Sequence, residues 1–490
     1  MVCVKKSRVF LFLLCLISYQ YSYGLTAYSK FDPYPVFTSL DPHLFLQQNE
    51  ILTMIGDRPE STQKNRFGFS LSPYWQMADY GKAPKNLGCA LRDCLSTGCT
   101  ECTEESTDIS NNWCSHKCVE LGDLDGRWNL LALLYGRLPN GASGFSPTLE
   151  EARQQLFPND APGTINYPSL IDPLQQLGFI SFPGSYRKRG FRWEMDIRLV
   201  DGFGLKLQSG FADISFTFTA KAFCDVTTLG CSCETNAPAA DFATNIKKYL
   251  ICKYRQIARE LCLDLNPFHE FYIEDLWATL WWRKAYELTQ HEDCPHHVLA
   301  IPFFTVGGIF AVGKEKDPAR PFSVAFGSNG HHAIGATAGV DFNFVESIEI
   351  GAEVGITHFF SRDVNCLHIP NSSYQSGIYP FWADAKVSPG LNWHASGKIG
   401  TYHFLECLSF YFQYVYLSHQ DDDIRINNCD SAFCPGTLER YNSWTVQLGN
   451  IGFNYDFASS LSLGVFIQTP IVQCNAAKST TVLFSLSALF

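Results

Sequence analysis

Between positions 191 and 199 the chain reads Phe191-Arg192-Trp193-Glu194-Met195-Asp196-Ile197-Arg198-Leu199. Successive side chains of an extended strand point to opposite faces. One face of this stretch is therefore wholly apolar, and the other, made of Arg192, Glu194, Asp196 and Arg198, wholly charged. The period of two is that of a half-buried strand. A second run sets Ile214, Phe216, Phe218, Ala220 and Ala222 against Asp213, Ser215, Thr217, Thr219 and Lys221. A soluble sandwich strand is also apolar on one side and polar on the other. Repetition, strand length and turn spacing must separate a sandwich from a barrel.

Two hairpins supply that separation. Ile334, Ala336, Ala338, Val340, Phe342 and Phe344 share one face, as do Ile348, Ile350, Ala352, Val354 and Ile356. A three-residue turn at Val345-Glu346-Ser347 would set Phe344 opposite Ile348, Phe342 opposite Ile350 and Val340 opposite Ala352. On the polar side, Asn343 would then meet Glu349, and Gly339 would meet Glu353. A two-residue turn would oppose apolar to polar, so parity selects the register. A similar turn at Ala458-Ser459-Ser460 predicts Phe457 opposite Leu461, Tyr455 opposite Leu463, Phe453 opposite Val465 and Ile451 opposite Ile467. Strands of about ten residues joined by tight turns have the length needed to cross a bilayer at a tilt.

Further strand candidates are 66–76, 301–312, 322–326, 382–393, 402–418, 444–448 and 481–490. The ring-rich stretch 404–417 suits an interfacial girdle. Segment 298–313 comes nearest to a membrane helix, but Pro302, Gly307, Gly308 and Gly313 interrupt it, and it falls short of the roughly 18 apolar residues a spanning helix needs. The expectation is an all-β fold: a transmembrane antiparallel β-barrel with an even number of strands, about 12–16.

Composition narrows the alternatives. The 490 residues are 46% hydrophobic, 14% aromatic and only 17% charged, which excludes a disordered chain. A mean hydropathy of -0.06 argues against a bundle of membrane helices. A net charge of -11 argues against a nucleic-acid partner, which calls for a basic footprint.

Lys5, Lys6 and Arg8 precede the apolar run 9–17, and Ser22-Tyr23-Gly24 supplies small residues before a cleavage point. This pattern predicts a signal peptide over 1–24 and an exported chain over 25–490. Export makes disulfides the first reading of the cysteine clusters. These are Cys89, Cys94, Cys99, Cys102, Cys114 and Cys118 in a loop region at 89–118, then Cys224, Cys231 and Cys233, then Cys429 and Cys434. Zinc ligation by Cys99, Cys102, Cys114 and Cys118, or around His291, Cys294, His296 and His297, is the weaker reading, because exported thiols oxidise. No metal and no cofactor are expected.

Two segments do not alternate. Residues 148–157 look like a short helix opened by Pro147, Glu150 and Glu151. Residues 241–290 look like a helical insertion: Ile246, Leu250, Tyr254, Ile257 and Leu261 fall at helical spacing, and a second helix is expected from Ile273 to Leu288. The insertion would plug the lumen, cap its mouth or pack outside.

The chain ends with Val482, Phe484, Leu486, Ala488 and Phe490 on one face. Signal, alternation and a terminal Phe490 together resemble Gram-negative outer-membrane β-barrels. The resemblance implies outer-membrane lipid and the barrel-assembly machinery as partners, with Phe490 ending the closing strand. The cysteine content resembles, in layout rather than in any aligned motif, the cysteine-rich major outer-membrane porins of chlamydia-like bacteria. That likeness implies a homo-oligomer or disulfide-linked envelope partners. No catalytic residues carry over.

Catalytic patterns are also missing from the residues themselves. There is no Gly-x-Ser-x-Gly elbow, no phosphate-binding Gly-x4-Gly-Lys loop and no His-Glu-x2-His pair, so no enzyme is expected. Gly122-Asp123-Leu124-Asp125-Gly126 lacks calcium-loop spacing and reads as a turn. Asp421, Asp422 and Asp423 read as a solvated loop. Arg192, Glu194, Asp196, Arg198, Glu349 and Glu353 are the candidate pore lining, where their fields would bias which ions pass. The expected function is a porin-like channel for passive diffusion of small hydrophilic solutes or ions. The alternative is a disulfide-cross-linked envelope protein or adhesin.

Overall fold

The computed structural model describes residues 30, 67–83, 117–156, 179–200, 202–223, 242–288, 298–344, 348–372, 374–405, 407–428, 430–458 and 460–490. The signal segment expected over 1–24 lies outside them, as does most of the cysteine-rich region.

Twelve strands form the main sheet: β1 (Phe67–Ala78), β2 (Gly184–Val200), β3 (Phe203–Phe218), β4, β5 (Val298–Phe310), β6 (Ala333–Phe344), β7 (Ile348–Phe359), β8 (Asn392–Leu405), β9 (Leu408–His419), β10 (Trp444–Ala458), β11 (Leu461–Cys474) and β12 (Thr480–Leu489). Strand β4 is broken into Phe268–Ile273, Leu276–Arg283 and Tyr286–Glu287. Each strand pairs antiparallel with its neighbours in sequence. The ring closes where Gly68 of β1 opposes Leu489 of β12, and the Phe490 amide donates to the Phe67 carbonyl at 2.8 Å. Closure leaves the main sheet no free edge, the condition for a sheet to sit in lipid.

Parity set the first hairpin as expected. Phe344 faces Ile348, Phe342 faces Ile350, Val340 faces Ala352, Asn343 faces Glu349 and Gly339 faces Glu353. The second hairpin agrees for Tyr455, Phe453 and Ile451, but Leu461 opposes Ala458 rather than Phe457. A bulge between Asp456 and Ala458 absorbs the extra residue, so the turn is one residue shorter than predicted.

The second helix expected over 273–288 is absent; that stretch is barrel strand β4. Trp277, Thr279 and Trp281 oppose the lumen-facing Gln208, Lys206 and Gly204, while Leu280 opposes Leu205 on the outer face. Large apolar residues on both faces blurred its period of two. The predicted strand 322–326 is a buried loop, 382–393 divides between Phe381–Ser388 and β8, and 402–418 divides between β8 and β9.

Gly202, Phe344 and Ile348, Leu405 and Leu408, and Ala458 and Leu461 mark one end of the barrel, the turn end. At the other, the loop end, the described residues of 79–83, 117–156, 179–183, 219–223, 242–267, 311–332, 360–372, 374–391, 420–428 and 430–443 build a cap. Helices α1 (Pro147–Leu156), α2 (Phe242–Glu260) and α3 (Gly436–Asn442) belong to it. The predicted apolar stripe of α2 is realised: Ile246, Leu250, Ile257 and Leu261 are buried in the cap core. The C-terminal Glu260 of α2 accepts from the Thr148 amide at 3.0 Å and the Thr148 hydroxyl at 2.6 Å, capping the start of α1. Phe322 sits at the centre of the cap, 4.8 Å from Phe182 and 4.0 Å from Phe218 between ring centroids. Ile214 and Phe216 at the top of β3 point inward and join this core. Their strand face is thus apolar inward and polar outward at that height, the reverse of the lower wall.

Candidate functional site

All six charged residues singled out by alternation face the barrel interior. Arg192 gives Glu274 two parallel hydrogen bonds, Nε to Oε2 at 2.8 Å and Nη2 to Oε1 at 3.0 Å, while Lys188 Nζ reaches the same carboxylate at 2.7 Å. The Arg192 guanidinium also lies 4.6 Å from the centre of the Tyr74 ring. Asp196 accepts from Trp281 Nε1 at 2.9 Å. Glu194 is buried beside it on the same inward face, and Arg198 continues that face toward the turn end.

On the β6–β7–β8 wall, Lys398 Nζ bridges Asp341 at 2.8 Å and Glu349 at 2.7 Å, and Arg283 Nη2 donates to Asp341 at 2.8 Å. Two cations and two carboxylates thus form one neutral cluster. Gly351 makes room for it: a Cβ there would fall 2.1 Å from Asp341 Oδ1 and 2.5 Å from Lys398 Cε. Glu353 belongs to a separate network, accepting from Ser396 Oγ at 3.0 Å and Gln413 Nε2 at 3.4 Å, with Asn450 Nδ2 donating to Gln413 at 2.9 Å.

The six predicted residues are therefore divided among several clusters rather than gathered into one ring. Sequence reasoning missed Lys188, Arg283, Asp341 and Lys398. Asp341 was within reach, because it shares the polar face of the first hairpin with Asn343. Glu274 lay in the segment misread as helical.

At the mouth, β4 breaks between Ile273 and Leu276. The break lets Glu274 and Asp275 both be buried, where alternation would turn one of them outward. Asp275 accepts hydrogen bonds from the amides of Val312 (3.1 Å), Gly313 (2.9 Å) and Ser328 (2.5 Å), and from Ser328 Oγ at 2.6 Å. One carboxylate thereby pins both limbs of segment 311–332 over the lumen. Beneath the segment is a cavity of about 60 Å³ lined by Lys188, Arg192, Glu274, Asp275 and Trp277. Nearby, His331 Nδ1 donates to the Phe360 carbonyl at 2.9 Å, and its Nε2 is buried with no hydrogen-bond partner among the described residues. Burial pushes the His331 pKa down to about 4, so the imidazole is neutral.

Two acidic motifs also have structural roles. Asp123 accepts from Ser181 Oγ and from the Phe182 amide, and Asp125 pairs with Lys30, so the stretch is a braced turn. Asp422 corrects the solvated-loop expectation: it is buried, accepts from the Gly390 amide at 2.8 Å and meets His419 Nε2 at 3.0 Å. Of the disulfide candidates, Cys89, Cys94, Cys99, Cys102, Cys114, Cys224, Cys231, Cys233 and Cys429 lie outside the described residues. So do His291, Cys294, His296 and His297.

The outer wall has the opposite character. Phe69, Leu71, Trp75, Ile350, Val354, Ile356, Ile451, Leu463, Ile467 and Phe484 are exposed, Val354 at 61%, whereas inward Glu349 is 1% exposed. A soluble protein rarely exposes a contiguous apolar patch beyond a few hundred Å²; here the apolar rows recur on strand after strand around a closed ring. The chain is a twelve-stranded transmembrane β-barrel.

Comparisons with known proteins do not refine this architecture. No protein-family model and no curated protein matches the sequence. Among solved structures, an outer membrane channel from Pseudomonas putida F1 aligns over 87% of this chain and 96% of its own, at 10% identity and a TM-score of 0.40. A Pseudomonas aeruginosa FadL homologue aligns over 87% and 90%, at 11% identity and a TM-score of 0.30. A deletion mutant of the TodX monoaromatic hydrocarbon channel aligns over 87% and 91%, at 8% identity and a TM-score of 0.31. At these scores the assignment of this barrel rests on its own closed sheet and apolar belt.

Proposed function

We propose that the chain is an outer-membrane channel for passive passage of small hydrophilic solutes or ions, closed at rest by the cap. The observation that carries this reading is the charged wall inside an apolar exterior: Lys188, Arg192 and Glu274 near the mouth, and Arg283, Asp341, Lys398 and Glu349 below. Lipid-facing strands need an apolar outside, whereas charge inside is useful where water and ions travel. Long loops of such barrels face the exterior and short turns the periplasm, which would put the cap outside the cell. The cavity under segment 311–332 holds only a few waters at about 60 Å³, so conduction requires that segment to move. No catalytic step is part of the reading.

Planar-bilayer recording of the purified protein is the test. The unaltered chain should give small, infrequent openings. Asp275→Ala, which strips three amides of their acceptor, should raise open probability several-fold. A barrel that inserts yet passes no current in either form would remove the channel assignment.

The burial of so many lumen-facing side chains favours a second reading, a structural envelope barrel. The likeness to cysteine-rich porins of chlamydia-like bacteria belongs here too, since it rests on cysteines of the loops. Non-reducing gels discriminate: ladders that collapse on reduction support cross-linking to neighbours, and a compact monomer supports the channel alone.

A further inference from the structure

The cap holds a second cavity, of about 120 Å³, walled by apolar side chains such as Ile378 and Leu438 and by the polar groups of Lys30, Asp125, Lys316 and Tyr379. The polar groups are unevenly satisfied. Lys30 is fully engaged: its ammonium donates to Asp125 Oδ1 at 2.9 Å, to the Tyr441 carbonyl and to Asn475 Oδ1 at 3.4 Å. Asp125 and Lys30 thereby neutralise each other.

Lys316 differs. Its backbone amide donates to Asn329 Oδ1 at 2.9 Å, but its ammonium has no hydrogen bond or ion pair among the described residues. Burial, reinforced by the neighbouring Lys30, holds its pKa below the usual lysine value despite the attraction of Asp125. That is the signature of a cation with incomplete compensation. Tyr379, on the same cavity wall, has its hydroxyl buried without a hydrogen-bond partner among the described residues. Leaving a buried donor unpaired costs about 1–3 kcal/mol, so the Tyr379 hydroxyl gains from an acceptor placed between these walls, and the half-buried Lys316 ammonium gains a counter-charge.

We propose that this cavity binds a small amphipathic anion, a carboxylate on one ring or a short chain, with its charge at Lys316 and Tyr379 and its body against Ile378 and Leu438. The sign follows from two ammonium groups against one carboxylate, and a cationic ligand would meet Lys316 unfavourably. Size follows from volume: an engineered cavity of about 150 Å³ takes benzene, so this somewhat smaller space limits the ligand to a single ring or a few methylenes. The proposal concerns the cap alone and stands or falls independently of conduction through the barrel.

Calorimetric titration of the full chain in detergent tests it, with benzoate, butyrate, benzylamine and inorganic phosphate as separate probes. Benzoate or butyrate should bind saturably in the millimolar range, and benzylamine should not bind. Lys316→Met should weaken carboxylate binding by about tenfold or more, Lys316→Arg should largely restore it, and Tyr379→Phe should weaken it several-fold. No saturable carboxylate binding, equal binding of the amine, or unchanged affinity in Lys316→Met would each overturn the proposal. Phosphate binding as tightly as benzoate would overturn the apolar half of it. Should Lys316→Met fail to fold, Tyr379→Phe and the amine-to-carboxylate comparison decide the matter.

Discussion

Lys398 is the residue on which the lower lumen cluster turns, because it bridges Asp341 and Glu349. Removing one member of a buried ion pair strands the others, at a cost of about 3–5 kcal/mol. Lys398→Met is therefore expected to lower the urea midpoint of the barrel in lipid vesicles substantially. Adding Glu349→Gln should recover part of the loss, since one stranded charge is then gone while Arg283 still serves Asp341. The exposed Arg425–Asp423 pair, with side chains 77% and 48% accessible, provides the contrast. Water screens it, so Arg425→Ala should cost well under about 1 kcal/mol in the same assay. Alternation alone assigned Arg192, Glu194, Asp196, Arg198, Glu349 and Glu353 to one face of their strands. It could not say which partner each would find, because those partners come from strands far away in sequence.

At the scale of elements, segment 311–332 couples the cap to pH through His331. Burial holds this imidazole at about 4, below the ordinary 6.5, with Arg362 and His332 adding to the depression and Asp422 opposing it. A depressed histidine stabilises the closed form fully above pH 6.5 and loses that contribution as pH falls toward 4. Protonation would also put a second N–H where Nε2 has no acceptor. Acidification from pH 7 to 4.5 should thus open the segment, read as faster amide exchange over 312–328, and His331→Gln should flatten that dependence. The lipid-facing rows make their own prediction. Val354→Arg, at an exposed position flanked by Ala352 and Ile356, should destabilise the barrel by about 2–4 kcal/mol if it sits near the bilayer midplane. Conservative Val354→Leu should be nearly silent in the same unfolding experiment. The bulge in β10 and the break in β4 escaped the sequence reading because a period of two carries no mark where one residue is inserted.

For the molecule as a whole, closure between β1 and β12 gives a ring in which each strand pairs with its sequence neighbours. Such a folded barrel should migrate differently in unheated and heated electrophoresis samples and should fractionate with membranes. A soluble sandwich, which would bury the Phe, Ile and Val rows between two sheets, would do neither. The cap is the larger departure from expectation. Helix α2 belongs to a packed layer with α1 and the Phe322 cluster, and strand β4 takes the place of its expected helical partner.

Local chain chemistry by itself determined the two faces of the lower wall on β2, β6 and β7, and the register of the 334–356 hairpin, because both follow from a two-residue period and one turn length. It bounded the strand number without fixing it. Tertiary structure alone decided that the ring closes at twelve, that Glu274 and Asp275 leave the alternation, and that Lys316 and Tyr379 share a cavity. Those outcomes depend on contacts between segments tens to hundreds of residues apart, and no local period encodes a distance across space.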